Sequence, residues 1–176
     1  MNKHLREQLK QQLKADRQVV ILAFQADGKP EKLLRSLRHS VDGVLARAWQ
    51  EAQLPPGTAL VGVGGYGRGE LFPYSDIDLL ILLQQAPDAT TRGKLEELVQ
   101  LLWDLGLEIG HSIRTVDECM SESKADITVQ TSLLEARLVC GNAELFAQLQ
   151  QRYQAAMDPG VLPGQDGGNA PAPRQV

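Results

Sequence analysis

No apolar run in the 176-residue chain approaches the ~18 residues needed to span a bilayer. The start, MNKHLREQLKQQLK, lacks the apolar stretch of a secretory signal. Both absences point away from the membrane and to a cytoplasmic protein. Cysteine is scarce: Cys119 and Cys140 alone cannot build a disulfide framework. Their separation also lacks the paired-ligand spacing of a zinc ribbon, so they read as incidental thiols. There is no basic excess either. The net charge is −4 and the isoelectric point about 5.4, which argues against a broad nucleic-acid surface. A small phosphate pocket stays open, because it needs only a few cationic groups. What is present is an ordinary globular composition, 43% hydrophobic and 23% charged, enough for one core without staples.

The N-terminal third reads as helix. Leu5, Leu9 and Leu13 recur every four residues, and the pattern turns more apolar through Val19, Val20, Ile21, Leu22 and Phe24. Asp27-Gly28-Lys29-Pro30 is a turn signal, and Pro30 suits the first turn of a second helix. That helix carries Leu33, Leu34, Leu37, Val41, Val44, Leu45, Ala48 and Trp49 on one face and ends at Leu54-Pro55-Pro56-Gly57. Thr58 to Val63 is short and apolar, a buried strand. Asp76 to Leu83 is a second strand, and Leu107 to Thr115 a third. Between these last two, a helix opens at Pro87-Asp88 and closes at Gly106. Thr115 and Glu118 fit a capping box. A helix is expected over about 126–140, stopped by Gly141, and another, capped by Asn142, to about Met157. The expected architecture is α+β, a small mixed sheet flanked by helices. Its division is a helical segment over 1–57, a core over 58–159 and a Gly- and Pro-rich tail over 160–176, expected to be disordered.

The chemistry concentrates in Gly64-Gly65-Tyr66-Gly67-Arg68-Gly69-Glu70 and Ser75-Asp76-Ile77-Asp78-Leu79. Gly62, Gly64 and Gly67 formally match a dinucleotide fingerprint, but the loop leads through Phe72-Pro73-Tyr74 into a strand rather than a helix. The aspartates support another reading. Alternate strand residues share a face, so Asp76 and Asp78 project together while Ile77 and Leu79 enter the core. Paired carboxylates repel unless a cation joins them. Magnesium, a hard ion that tolerates substrate phosphates among its ligands, suits such a pair. Glycine amides can cradle phosphates, the Arg68 fork can neutralise them, and Ser75 can add a hydroxyl.

Gly64-Gly65 followed by Asp76-Ile77-Asp78 resembles the signature of the DNA polymerase β-like nucleotidyltransferase superfamily. The longer string GGYGRGELFPYSDIDLLILL, with GLEIGHSIRTVDEC and ADITVQTSLLEARLVCGNAELF, is similar to the N-terminal nucleotidyltransferase domain of bacterial bifunctional uridylyltransferase/uridylyl-removing enzymes. The resemblance covers about residues 1–159. It implies magnesium-dependent transfer of UMP from UTP to a tyrosine of the P-II signal protein. It also implies metal-holding roles for Asp76 and Asp78 and triphosphate binding by Gly64 and Gly65. The wider superfamily has Gly-Ser where this chain has Gly64-Gly65, which shifts weight to Arg68 and Ser75. Glu108, between Leu107 and Ile109, is the nearest match to a third carboxylate, a ligand or a general base for the attacking hydroxyl. The alternatives are an adenylyltransferase acting on a protein or small molecule, and a nucleotide-binding domain without turnover.

Other residues are less specific. His111 and Arg114 lie at odd spacing on the third strand and either contact phosphate or pack. His4 and His39 are expected on solvent-facing helix surfaces. Glu135 and Arg137, two apart on the expected 126–140 helix, are read as packing. Tyr66 either stacks on a base or covers the glycine segment. No His-Asp doublet marks a phosphohydrolase. The family's chain is several times longer, with hydrolase and small-molecule-sensing domains. Beyond Gly160 the resemblance stops. Displaced by one nucleotide, the codons permitted for the tail can encode FYQAKMVEMRQRHVK, which resembles the family's continuation. A frameshifted or truncated product, native to about Asp158-Pro159 and weak or inactive in transfer, is the resulting expectation.

Overall fold

The computed structural model describes residues 3–157. The expected tail, and the frameshift reading attached to it, lie outside the described residues. Two long helices come first, α1 (Lys3–Asp27) and α2 (Pro30–Ala52). Gly28, at φ +63°, makes the turn between them, and Pro30 sits in the first turn of α2 as its fixed φ favours. Then follow β1 (Thr58–Gly62), a single helical turn α3 (Gly64–Gly67), β2 (Ile77–Leu83), α4 (Ala89–Asp104) and β3 (Ile109–Thr115). The chain continues through α5 (Val116–Ala125), α6 (Ile127–Leu134), β4 (Arg137–Gly141) and α7 (Ala143–Met157).

The four strands form one mixed sheet in the order β3-β2-β1-β4. β1 is antiparallel to both β2 and β4, while β2 and β3 run parallel. The architecture is α+β, as the sequence implied. Both sheet faces are covered. Leu60, Ile77, Leu79, Ile81 and Leu83 pack with α1, α2 and α4. Ala59, Val61, Leu80 and Leu82 pack with α5 and α7. Burying both faces of β2 explains its unbroken apolar run. Ile77 and Leu79 are each 2% exposed, and Asp78 between them is exposed.

The helix ends obey local chemistry. The Asp88 carboxylate accepts from the Thr91 amide at 2.7 Å and starts α4. Thr115 and Glu118 form the expected capping box at α5. Gly106, at φ +77°, ends α4, and Asn142 Oδ1 accepts from the Leu145 amide at α7.

One expectation fails. The helix expected over 126–140 stops at Leu134, and Arg137–Gly141 is strand β4 on the sheet edge. Helical periodicity in this stretch is overridden by pairing with β1, whose partner residues lie 75 to 82 positions away and which local spacing cannot reveal. Gly141 supports the switch. It sits at φ +97°, and a Cβ there would lie 2.7 Å from Thr58 O. Three strand boundaries also shift by one or two residues: Val63 falls just after β1, Asp76 stands just before β2, and Leu107 and Glu108 precede β3. Cys119 is buried, and its thiol is pushed up to about 11. Cys140 is half-buried, pushed up to about 12, again first by burial. Both thiols are therefore poorly reactive at neutral pH.

Candidate active site

The glycine segment is not an open loop. The Gly67 amide donates to Val63 O at 3.0 Å and the Arg68 amide to Gly64 O at 3.1 Å, winding residues 64–67 into one turn. Tyr66 anchors it. Its ring is 1% exposed, so it neither stacks on a base nor covers the turn from outside. The Tyr66 hydroxyl donates to Asp42, and the Arg137 guanidinium lies 5.1 Å from its ring centroid. Gly62 and Gly67 permit this packing. A Cβ on Gly62 would meet the Tyr66 ring at 2.9 Å, and one on Gly67 would meet Glu135 O at 2.2 Å.

Asp42 is a residue that sequence reading missed. It accepts two bonds from Arg137, each 3.0 Å, in a bidentate fork. Arg137 also donates to Tyr66 O at 3.5 Å. Burial works against the Arg137 charge, but Asp42 more than offsets it and the guanidinium is held above its ordinary value. Burial, then the Asp42 charge, pushes the Tyr66 phenol up. Helix α2, the glycine turn and edge strand β4 thus meet in one ion-paired knot. Nothing in the local pattern of α2 distinguishes Asp42 from a solvent-facing acid. Only the long-range fold brings it to Arg137.

This knot predicts a contrast between two ion pairs. Asp42→Ala leaves Arg137 half-buried without its fork and removes the Tyr66 acceptor. The expected loss is about 2–3 kcal/mol, read from urea melts. Arg152→Ala removes a 2.6 Å pair with Asp117, itself 84% exposed, and should lose under about 0.5 kcal/mol. Equal losses would contradict the knot.

The carboxylates lie next to the turn. The Val63 amide donates to Asp78 O at 3.0 Å, tying the start of the turn to β2. Asp78 spans two glycines. A Cβ on Gly64 would stand 3.5 Å from its Oδ2, and one on Gly110 of β3 would stand 2.6 Å from its Oδ1. Gly110 is level with Asp78 in the parallel register. A side chain there would collide with the carboxylate. Burial first, and then the charge of Asp76, raise the Asp78 pKa, so the Asp76 charge is felt at Asp78. The donor set is therefore hard oxygen under mutual repulsion, which fits magnesium.

The other predicted residues divide. Glu108 is exposed, and its carbonyl accepts from the Ile77 amide at 2.8 Å, which sets it beside Asp76 at the sheet's end. Among the described residues, no three His, Cys, Asp or Glu side chains are gathered closely enough to hold a metal ion, so Glu108 does not complete a three-carboxylate cluster with the aspartates. Arg68 is engaged elsewhere. Its Nη1 donates to Glu135 Oε2 at 2.6 Å and its Nε to Glu70 at 3.4 Å. These acids, Glu135 foremost, raise its pKa. Ser75 lies beside Asp76 in the wall of a neighbouring pocket. His111 packs edge-on against Trp103, centroids 5.5 Å apart, which favours the packing reading. His4 and His39 are exposed as expected. No helix among the described residues is long and apolar enough to cross a membrane.

The nucleotidyltransferase domain family model matches residues 45–134, a stretch that holds every candidate site residue. The chain is 56% identical over 152 residues to a bifunctional uridylyltransferase/uridylyl-removing enzyme of Cupriavidus metallidurans, covering 86% of this chain and 18% of that protein. The protein of the same description from Bordetella parapertussis is 47% identical over 154 residues, covering 88% and 18%. The chain thus spans 18% of the length of these relatives. A chain in a solved toxin–antitoxin structure with AMP-PNP is 17% identical, covers 65% of this chain and 88% of that one, and has a TM-score of 0.42.

Proposed function

Since the chain belongs to the nucleotidyltransferase domain family, we propose that its site transfers UMP from UTP to a tyrosine of the P-II signal protein, releasing pyrophosphate. The observation that carries this reading is the Asp78 carboxylate, lodged between Gly64 of the turn and Gly110 of the next strand with the Asp76 charge beside it. First-turn amides of a helix have no intrahelical acceptor. Those of Gly64 and Gly65 suit the triphosphate, with no Cβ in the way. Asp76 and Asp78 would hold magnesium, which supplies positive charge against the phosphates.

The remaining roles belong to the chain's own groups. The acceptor hydroxyl oxygen forms a bond to the α-phosphorus, and the bond from that phosphorus to the bridging oxygen breaks. The pair of electrons leaves with pyrophosphate. A carboxylate at the strand ends, Glu108 in this reading, accepts the hydroxyl proton. Arg68 reaches a phosphate only by giving up its pair with Glu135. That exchange suits a substrate-responsive contact better than a fixed one.

The identity of the base rests on the 56% identical relative, not on the glycine turn. Binding and pyrophosphate release measured with magnesium and UTP, ATP, CTP or GTP decide it. The expected result is at least a tenfold preference for UTP, about 1.4 kcal/mol. A preference for ATP would move the reading to adenylyl transfer. Binding of UTP without pyrophosphate release in the presence of P-II would move it to a domain without turnover.

A further inference from the structure

A pocket of about 530 Å³ opens on the other side of Asp76, between α1 and residues 71–77. The volume is in the range of ligand sites. Its construction is two-sided. Lys10, Lys14 and Arg17 line it from α1, and at spacings of four and three residues they share one face of that helix. Leu37, Val41 and Ile77 give it an apolar floor. Asp76 and Glu108 stand in its wall at the end that meets the carboxylate site.

Two acids at the cationic helix, Asp104 and Asp16, are already bonded. Asp104 accepts from Arg6 at 2.8 Å and from Gln100 at 3.1 Å, and Asp16 accepts from Ser40 at 2.7 Å. Arg17 lies 4.0 Å from the centroid of Tyr74. That ring is 84% exposed on a residue at φ +69°. A tyrosine in the left-handed region is strained, and here it places its ring against the cation at the pocket's mouth.

We propose that this pocket receives the acceptor segment of the protein substrate, an acidic stretch bearing a tyrosine. The tyrosine ring lies on Leu37, Val41 and Ile77, its hydroxyl points to the Asp76 and Glu108 end, and flanking carboxylates meet Lys10, Lys14 and Arg17. The proposal rests on the transferase reading above and adds the chemistry of the acceptor to it. A triphosphate is the poorer occupant. It gains nothing from an apolar floor, and the glycine turn lies on the Asp78 side. Charge on α1 thus serves to select and steer the partner.

Peptide binding tests this without any turnover. Fluorescence anisotropy is measured on the full chain with labelled Glu-Glu-Tyr-Glu-Glu, its Tyr-to-Ala version and Lys-Lys-Tyr-Lys-Lys. The acidic tyrosine peptide should bind at least about tenfold tighter than either control. The double variant Lys10→Glu/Lys14→Glu, at exposed positions, should weaken it by about tenfold. Excess magnesium-UTP should leave the peptide bound. Equal binding of the acidic and basic peptides, or no effect of the double variant, overturns the proposal, and so does displacement by UTP. Binding of UTP alone is measured in parallel. Its failure beside intact peptide binding would count against the transferase reading and not against the pocket.

Discussion

Asp78→Asn should lower magnesium-dependent transfer by at least about a hundredfold, and weaken magnesium-dependent UTP binding, while leaving the fold at least as stable at pH 7. The first half follows from charge. An amide is a poor ligand for a hard cation, and the electrostatic contribution of such a group to transfer is commonly worth several kcal/mol. The second half follows from linkage. Burial and Asp76 raise the Asp78 pKa in the folded state. The folded protein therefore holds this proton more tightly than the unfolded chain does. Its contribution to stability is fully present below the unfolded pKa and is lost as pH rises through the folded one. At pH 7 the ionised Asp78 is a net liability, and the amide removes it. Wild-type stability should accordingly fall across the acidic range above the ordinary aspartate pKa, relative to the variant. Thermal melts over that range check it. A variant that loses transfer only because it unfolds would contradict the assignment.

Gly67→Ala should be the most damaging single methyl in the chain's centre. The added Cβ would lie 2.2 Å from Glu135 O and 2.8 Å from Gly62 O. Both are backbone atoms, so no flexible side chain can yield. Overpacking typically costs about 1–3 kcal/mol, and against two backbone oxygens the upper end, about 3 kcal/mol, is expected. For a domain of this size that is a melting temperature lower by roughly 6–12 °C. The turn would be pushed from β4 and from the Asp42 knot, so nucleotide binding should fall with stability. Gly65→Ala makes the control. Its Cβ would meet only the Arg68 Nη2 at 3.6 Å, an ordinary contact with a mobile group. That variant should fold normally, and any loss should appear in triphosphate binding alone. Similar melting temperatures for the two variants would contradict the packing described here.

The parts of the fold legible in sequence were those written by local chemistry. Alternation put Ile77 and Leu79 inside and Asp78 outside. Asp88, Thr115 with Glu118, Gly106 and Asn142 marked helix ends that the fold uses. The candidate site was legible in part for the same reason: Asp78 alternates with Ile77 and Leu79 in β2, while Asp76, one residue before the strand, lies close enough for its charge to reach Asp78. What stayed hidden depends on distant partners. Arg137 reads as helical until β1 pairs with it, and Asp42 reads as solvated until Arg137 arrives. Arg68 reads as a phosphate ligand until Glu135, 67 residues on, accepts its guanidinium. The glycine turn looked open because its closure depends on Tyr66 being buried, which the three elements around it decide together.

The most direct test of the central claim, that the glycine turn and the two aspartates form one nucleotide site, is an amide-resolved NMR titration. Magnesium and a non-hydrolysable UTP analogue are added to the isotope-labelled chain. The account predicts that the largest shifts fall at Gly64, Gly65, Asp76, Asp78 and Gly110, and that they vanish when magnesium is withheld. Shifts centred instead on the groove between α6 and α7, around Leu134 and Tyr153, or shifts at the turn that persist without magnesium, would contradict it.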